Sequence, residues 1–323
     1  MGMHMKATEI HLASRPTGEP VSDNFRTVVT ELPPLEDGQI LVRNTVMSVD
    51  PYMRGRMNDV KSYVPPFALD APLDGGAVGE VVESRSDAFA VGDAVSHGKG
   101  WRDLAILPAK SARKVDLSKA KASAYLGALG MTGLTAYAGL TSVAQFKEGD
   151  TVFVSGAAGA VGSLVGQIAK AMGCRAVGIA GGAEKCRLVT EEFNFDACLD
   201  YKSGDLGGQI KDAAPDGIDV YFDNVGGEML DMVLALMNAK GRIPVCGVLS
   251  QYNAEDEYYG VTKTHLIFDK QLRLQGFLNS EFRDQWDRDR AELENLVASG
   301  KLKCRETVAQ GLKSAPQAFI GML

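Results

Sequence analysis

Between Thr151 and Gly162 the chain runs Thr-Val-Phe-Val-Ser-Gly-Ala-Ala-Gly-Ala-Val-Gly. An apolar, β-branched run of strand length breaks into spaced glycines, and residues 163–172 then take on the composition of a helix. A backbone that turns so sharply from strand to helix leaves main-chain N–H groups pointing outward, and glycine lets a phosphate approach them without a Cβ in the way. The sequence therefore predicts a pyrophosphate held at Gly159, Ala160, Val161 and Gly162. A glycine triplet alone also occurs in plain tight turns. Here strand, loop, helix and second strand follow in the order a dinucleotide-binding unit requires.

The rest of the chain supports that frame. From Lys6 to about Ala122, short β-branched stretches such as Gln39-Ile40-Leu41-Val42-Arg43 and Ala77-Val78-Gly79-Glu80-Val81-Val82 are separated by Pro, Gly and Asp turns, which predicts a β-rich domain over residues 1–123. From Thr151 on, strands expected at 151–155, 175–180, 197–201, 219–223, 242–248 and 272–278 alternate with helical patterns, which predicts an α/β domain with a doubly wound parallel sheet of Rossmann type over residues 124–295. Residues 284–300 read as one amphipathic helix with Leu293, Leu296 and Val297 on one face, and residues 296–323 are expected to return to the first domain. With 323 residues, two domains with a ligand cleft are the default.

Charge at the end of the second expected strand bears on the choice of dinucleotide. A site for NAD usually places Asp or Glu there for the ribose 2′-hydroxyl, whereas a site for NADP supplies cations to a 2′-phosphate. Ala176-Val177-Gly178-Ile179-Ala180-Gly181-Gly182 holds no acid, and Lys185 and Arg187 follow at once, with Glu184 between Gly182 and them. NADPH is thus the expected cofactor, with Lys185 on the phosphate and Tyr201 adding a hydroxyl.

Composition narrows the partners further. A net charge of -7 without a concentrated basic stretch argues against nucleic acid. No apolar run is long enough to cross a bilayer, so no membrane partner is expected. Met1-Gly2-Met3-His4-Met5-Lys6 lacks the apolar core and small-residue cleavage site of a secretory signal, so the cytoplasm is the expected compartment. The cysteines, Cys174, Cys186, Cys198, Cys246 and Cys304, never fall in close pairs and read as reduced and mostly structural, with no metal.

These residues resemble the leukotriene B4 dehydrogenase/prostaglandin reductase branch of the zinc-free medium-chain dehydrogenases/reductases, and most closely its bacterial NADPH-dependent curcumin reductases. The carriers are Ala13-Ser14-Arg15-Pro16, Ser48-Val49-Asp50-Pro51-Tyr52-Met53-Arg54-Gly55-Arg56-Met57, Leu129-Gly130-Met131-Thr132-Gly133-Leu134-Thr135-Ala136-Tyr137, Ala180-Gly181-Gly182-Ala183-Glu184-Lys185-Cys186-Arg187, Asp223-Asn224-Val225-Gly226-Gly227 and Pro244-Val245-Cys246-Gly247. The likeness covers nearly the whole chain. It implies that the β-rich domain is GroES-like and that the cofactor is surrounded by Gly159–Gly162, Gly182, Lys185, Tyr201, Asn224, Cys246, Gly247, Tyr252, Phe277, Leu278 and Asn279, with Met131 and Thr132 against the nicotinamide. It also implies a homodimer with residues 272–278 at the subunit contact. The zinc dehydrogenases of the same architecture need a Cys in the early loop and a His-Glu pair after it. Asp50-Pro51-Tyr52 and Gly75-Gly76-Ala77 stand there instead, and the four-cysteine lobe is absent. Asp269 occupies the place of a tyrosine found in plant and animal members, so no role for that hydroxyl is carried over. The relatives are expected to continue beyond Gly321-Met322-Leu323 into a final strand.

The implied reaction is hydride transfer from NADPH to the β-carbon of an α,β-unsaturated ketone or aldehyde. A neutral tyrosine hydroxyl is a suitable donor to the oxygen on which charge develops. Tyr63, in the proline-rich loop Lys61-Ser62-Tyr63-Val64-Pro65-Pro66-Phe67, is the first candidate and Tyr52 the second, although a tyrosine beside a proline also commonly serves to anchor a loop. His97 is read as structural. Quinone reduction on the same scaffold, and a non-catalytic NADPH-binding protein, are the alternatives. Acceptor choice is expected to depend on the loops at 58–69 and 251–265.

Overall fold

The computed structural model describes residues 5–253 and 259–323, so part of the expected acceptor loop at 251–265 lies outside the described residues. The chain divides into two compact units, one running to Leu126 and taking in Glu306–Leu323, the other Gly127–Arg305.

In the first unit, β1 (Lys6–Leu12) and β2 (Phe25–Glu31) pair antiparallel, and β3 (Gln39–Met47), β4 (Ala77–Ser84), β5 (Ala94–His97), β6 (Leu104–Pro108) and β7 (Arg113–Lys114) form a second antiparallel sheet in the order β6-β3-β4-β5-β7. Ile40, Val42, Val81, Val95, Ala105 and Leu107 fill one side of it. A separate cluster gathers Ile10, Leu12, Met53, Met57, Phe67, Leu73 and Trp101 around Phe319 of the C-terminal helix Ala315–Ile320, with Trp101 stacked on Phe25 at 5.9 Å and edge-on to Phe319 at 6.0 Å. The short helix α1 (Tyr52–Arg56) follows Pro51, whose ring presets a helical φ where no N–H is needed. It buries Arg54 without leaving its charge bare, because the guanidinium donates to the Gly18 carbonyl and to Asn58 Oδ1, both at 2.7 Å.

The second unit is a six-stranded, wholly parallel sheet in the order β10-β9-β8-β11-β12-β13, with β8 (Thr151–Ser155), β9 (Arg175–Ala180), β10 (Ala197–Asp200), β11 (Ile218–Phe222), β12 (Met237–Val245) and β13 (Arg273–Gly276). The helix α2 (Met131–Ala138) precedes β8, α3 (Ala160–Ala171), α4 (Ala183–Arg187), α5 (Leu206–Ala213), α6 (Gly227–Leu236) and α7 (Thr264–Asp269) run between the strands, and α8 (Trp286–Ala298) follows β13. This is the Rossmann-type doubly wound order, which reverses between β8 and β11. β8 is buried at every residue because it lies mid-sheet, and Phe153 packs on Tyr221 at 5.7 Å. Val177, Ile179, Ile210, Val233, Leu234 and Ile243 complete that core, each contributing roughly 1.5–3 kcal/mol.

Several boundaries differ from the sequence expectation for local reasons. α3 starts at Ala160 rather than 163, since Gly159 already caps it in an extended conformation. β12 begins at Met237 rather than 242 and ends at Val245 rather than 248. Asn238-Ala239-Lys240-Gly241 has the composition of a turn, but the strand passes through it with Lys240 at φ 62°. β10 and β13 are shorter than expected, so Tyr201 lies just past its strand. The helix expected over 284–300 is a 3-10 segment at Asn279–Gln285, kinked at Phe282 within it, followed by α8. The return to the first unit, expected at 296, comes at Glu306. Gln167 on α3 holds the chain back: its carboxamide donates to the Lys303 carbonyl at 3.0 Å and accepts from the Lys303 N–H at 2.8 Å, and Leu302 is buried beside it.

Candidate active site

The sheet order places the ends of β8 and β11 side by side, where a doubly wound fold opens to ligands. Gly156 leaves β8 at φ 62°, the Gly159 N–H closes the turn on the Gly156 carbonyl at 2.9 Å, and α3 begins at once. A Cβ on Gly162 would lie 2.2 Å from the Gly156 oxygen, so only glycine lets the helix sit this close to the loop. The first-turn N–H groups of Ala160, Val161 and Gly162 have no partner within the helix, and Gly159 and Ala160 are exposed. An anion placed there meets several amides and the positive end of the helix dipole.

A buried carboxylate, which the sequence reading did not single out, holds the adjoining loop. Asp223 Oδ1 accepts from Tyr221 Oη (2.7 Å), Ser155 Oγ (3.1 Å), Val225 N (3.0 Å) and Gly226 N (2.9 Å). Ser155 Oγ in turn accepts from the Asn224 N–H, and Asn224 Nδ2 donates to the Ser155 carbonyl at 2.8 Å. Asn224 is thereby fixed beside the glycine loop: a Cβ on Gly156 would meet the Asn224 Cβ at 3.7 Å. Gly247 stands over the Asn224 carbonyl, with the Tyr252 hydroxyl 3.4 Å from where its Cβ would be. Cys246 is half-buried beside Asp223, and desolvation first, then that carboxylate, pushes its thiol up to about 12. It is an inert neighbour of the site rather than a nucleophile. The only sequence signal for Asp223 is an acid closing the apolar run Val220-Tyr221-Phe222.

At the β9 end, Gly181 leaves room for Tyr201, whose hydroxyl lies 2.9 Å from where a Cβ would stand. Lys185 and Arg187 are exposed on α4, and Lys185 has no ion-pair partner among the described residues. Gly182 does not offer its N–H, which donates to Asp200 Oδ1 at 2.8 Å. Its φ of 98° instead sets the turn into α4. The structure thus brings Lys185 and Tyr201 to one corner while closing the Gly182 amide.

Met131 opens α2 and is exposed, whereas Thr132 is buried with its Oγ1 unpartnered. Asn279 Nδ2 donates to the Met131 carbonyl at 3.4 Å and Trp286 Nε1 to Asn279 Oδ1 at 2.9 Å, so this turn is tied to the chain after β13. Phe277 packs edge-on to Phe222 at 6.2 Å and belongs to the core, and the Leu278 N–H is taken by Glu281. Neither the Phe277 ring nor the Leu278 amide is available to a cofactor.

In the first unit, Tyr52 and Tyr63 are close enough to influence each other. Burial, and after it the charge of Asp50, with smaller effects of Tyr63 and Asp74 against the opposing Arg56, push the Tyr52 hydroxyl up to about 12. Asp50 is buried and accepts from Ser48 Oγ at 2.7 Å; burial raises its carboxyl above the usual range despite that bond. Tyr63 is 63% exposed. His97 is pushed down to about 4 by burial and by Arg102 and Lys99, and its Nδ1 accepts from the Lys99 N–H at 3.0 Å. It is neutral at pH 7.

Among the described residues no group of three or more His, Cys, Asp or Glu side chains could hold a metal ion, and no helix is long and apolar enough to cross a membrane. Residues 8–115 match the family described as N-terminal domain of oxidoreductase, and residues 160–295 the family described as zinc-binding dehydrogenase. The chain is 44% identical to the NADPH-dependent curcumin reductase of Escherichia coli (strain K12), over 97% of this chain and 92% of that protein. It is 40% identical to prostaglandin reductase 1 of Mus musculus, over 95% and 92%. The crystal structure of CurA from Vibrio vulnificus in complex with NADPH superposes with a TM-score of 0.92 at 42% identity, covering 98% of this chain and 95% of that one. With the glycine loop, the sheet order and these likenesses together, the chain belongs to the medium-chain dehydrogenase/reductase family, in the branch that includes the curcumin and prostaglandin reductases.

Proposed function

We propose that this protein reduces the carbon–carbon double bond of α,β-unsaturated ketones or aldehydes, of the curcumin, alkenal or prostaglandin type, with NADPH as hydride donor. The observation that carries the reading is the corner at Gly181, where a lysine without an ion-pair partner among the described residues and a tyrosine hydroxyl follow a β9 end that holds no acid, the nearby Asp200 carboxylate being taken by the Gly182 and Lys202 N–H groups. The residues present suit the cofactor: first-turn amides of α3 for the diphosphate, the close approach at Gly162, and Lys185 with Tyr201 for the 2′-phosphate. When bound, NADPH supplies the hydride for the β-carbon. Asn224 and the Met131–Thr132 turn, both fixed by hydrogen bonds, border the nicotinamide in this reading.

Tyr52 is the better donor for the carbonyl oxygen of the acceptor. Its hydroxyl is half-buried where that of Tyr63 is exposed, so a hydrogen bond it donates to the developing enolate competes less with water, and like any tyrosine hydroxyl it is neutral at pH 7. Tyr63, more exposed, borders the acceptor loop. The test is NADPH oxidation by purified protein with curcumin-like and alkenal acceptors and identification of the saturated product. Failure with every activated alkene would reject the proposal.

The assembly proposed is a homodimer formed along β13, an edge strand whose residues are largely exposed, and size measurement in solution checks it. The cytoplasm is the proposed compartment, consistent with free thiols at all five cysteines.

A further inference from the structure

Eleven residues separate Cys186 from Cys198 in sequence, yet the fold brings the two together. Asp200 and Cys198 are alternate residues of β10 and so share one face of the sheet. Asp200 Oδ1 accepts from the Gly182 N–H at 2.8 Å, which shows that this face looks toward the turn into α4. Cys186 sits one helical turn after Gly182, its N–H bonded to the Gly182 carbonyl at 3.1 Å. α4 therefore carries Cys186 over Cys198, near enough for the two thiols to act on each other. Both are partly buried, so a small oxidant reaches them while bulky reagents are hindered. Lys185, the residue assigned to the 2′-phosphate, is the immediate neighbour of Cys186, and Tyr201 follows Cys198 by three residues.

We propose that Cys186 and Cys198 form a peroxide-sensitive oxidation site whose reversible disulfide weakens the grip of α4 on NADPH. The Cys186 thiolate, flanked by Lys185 and Arg187, attacks the O–O bond of a hydroperoxide. An S–O bond forms, the O–O bond breaks, and the departing oxygen leaves as water or alcohol with the thiol's proton. Cys198 then attacks the sulfenic sulfur, the S–S bond forms, the S–O bond breaks, and the hydroxyl leaves as water with the second proton. The two sulfurs lose two electrons and the peroxide gains them. Cys198 suits the resolving role, since burial, and then the neighbouring Cys186 thiol, hold its own thiol well above the ordinary range and keep it protonated until the sulfenic acid forms beside it. Closing the sulfurs to a bond of about 2.05 Å draws the first turn of α4 onto β10 and displaces Lys185 with it.

The test uses the full-length protein treated with hydrogen peroxide, alkylated and mapped by mass spectrometry. A peptide pair joined through Cys186 and Cys198 is expected, lost in Cys186→Ser and in Cys198→Ser, kept in Cys304→Ser, and reversed by dithiothreitol. Absence of the pair in the unsubstituted protein overturns the site. NADPH binding, read by fluorescence titration, should weaken several-fold on oxidation while NADH binding changes little, and Cys198→Ser should be insensitive. Undiminished NADPH binding by the cross-linked protein overturns the control of cofactor. This arm rests on the phosphate reading of Lys185. Equal affinity of the reduced protein for NADPH and NADH would count against that reading alone, because the cross-link is scored by mass.

Discussion

At the nucleotide end of the second unit, positions are set by main chain: Gly162 against the Gly156 carbonyl, the free amides of α3, and the Asp223 carboxylate collecting two amides and two hydroxyls. In the first unit the proposed donors are side chains of a short helix and an irregular loop, with Tyr52 tuned by burial and by Asp50 and with Tyr63 exposed. A site built largely from backbone tolerates little substitution and carries few groups that titrate. A side-chain site can be altered one group at a time and responds to proton concentration. That contrast matches a reductase that keeps its coenzyme and varies its acceptor.

The largest expected effect breaks the backbone side. Gly162→Val should destabilise the second unit by more than about 4 kcal/mol and abolish NADPH binding, since its Cβ would sit inside the Gly156 carbonyl, and thermal unfolding with and without NADPH checks this. Next comes acid. His97 has a folded pKa of about 4, below its ordinary value, so between about 6.5 and that value the unfolded chain takes up a proton that the folded one refuses. The first unit should lose stability as pH falls through that window, by a total of about 3 kcal/mol. Trp101 lies in the first unit and Trp286 in the second, so in Trp286→Phe the fluorescence of Trp101 follows this loss, and His97→Gln should flatten it.

Tyr52→Phe should lower kcat by about 10²-fold with KM for NADPH unchanged, whereas Tyr63→Phe should affect chiefly KM for the acceptor. The reverse pattern would restore Tyr63 as the donor. The smallest effect belongs to Lys185→Ala, expected to weaken NADPH roughly tenfold and NADH hardly at all. Equal losses would defeat the phosphate assignment.

The glycine loop and the strand alternation were legible because main-chain requirements leave their mark within a few adjacent residues: Gly156, Gly159 and Gly162 are spaced by the turn itself. Lys185 could be read from the acid missing nearby. Asp223 was not, since its donors come from β8, from β11 and from its own loop, and only the sheet order brings them to one oxygen. Gly182 and Phe277 were expected at the cofactor, and that the Gly182 N–H goes to Asp200 and the Phe277 ring to Phe222 could not be read, because those partners are distant in sequence. Cys186 and Cys198 were read as separate for the same reason. Periodicity says which face a residue lies on, not what covers that face.

The two-way grip of Gln167 on Lys303 decides where the nucleotide-binding half can be cut out as a module. Excision at 295, or at the end of α8, would leave the buried carboxamide oxygen of Gln167 unanswered and its Nε2 with the Ser163 carbonyl alone, at a cost of about 1–3 kcal/mol, and would uncover the seat of Leu302. A fragment spanning residues 127–305 keeps both, so chimaeras that graft this module onto another acceptor domain should be joined after Arg305 rather than at the helix end.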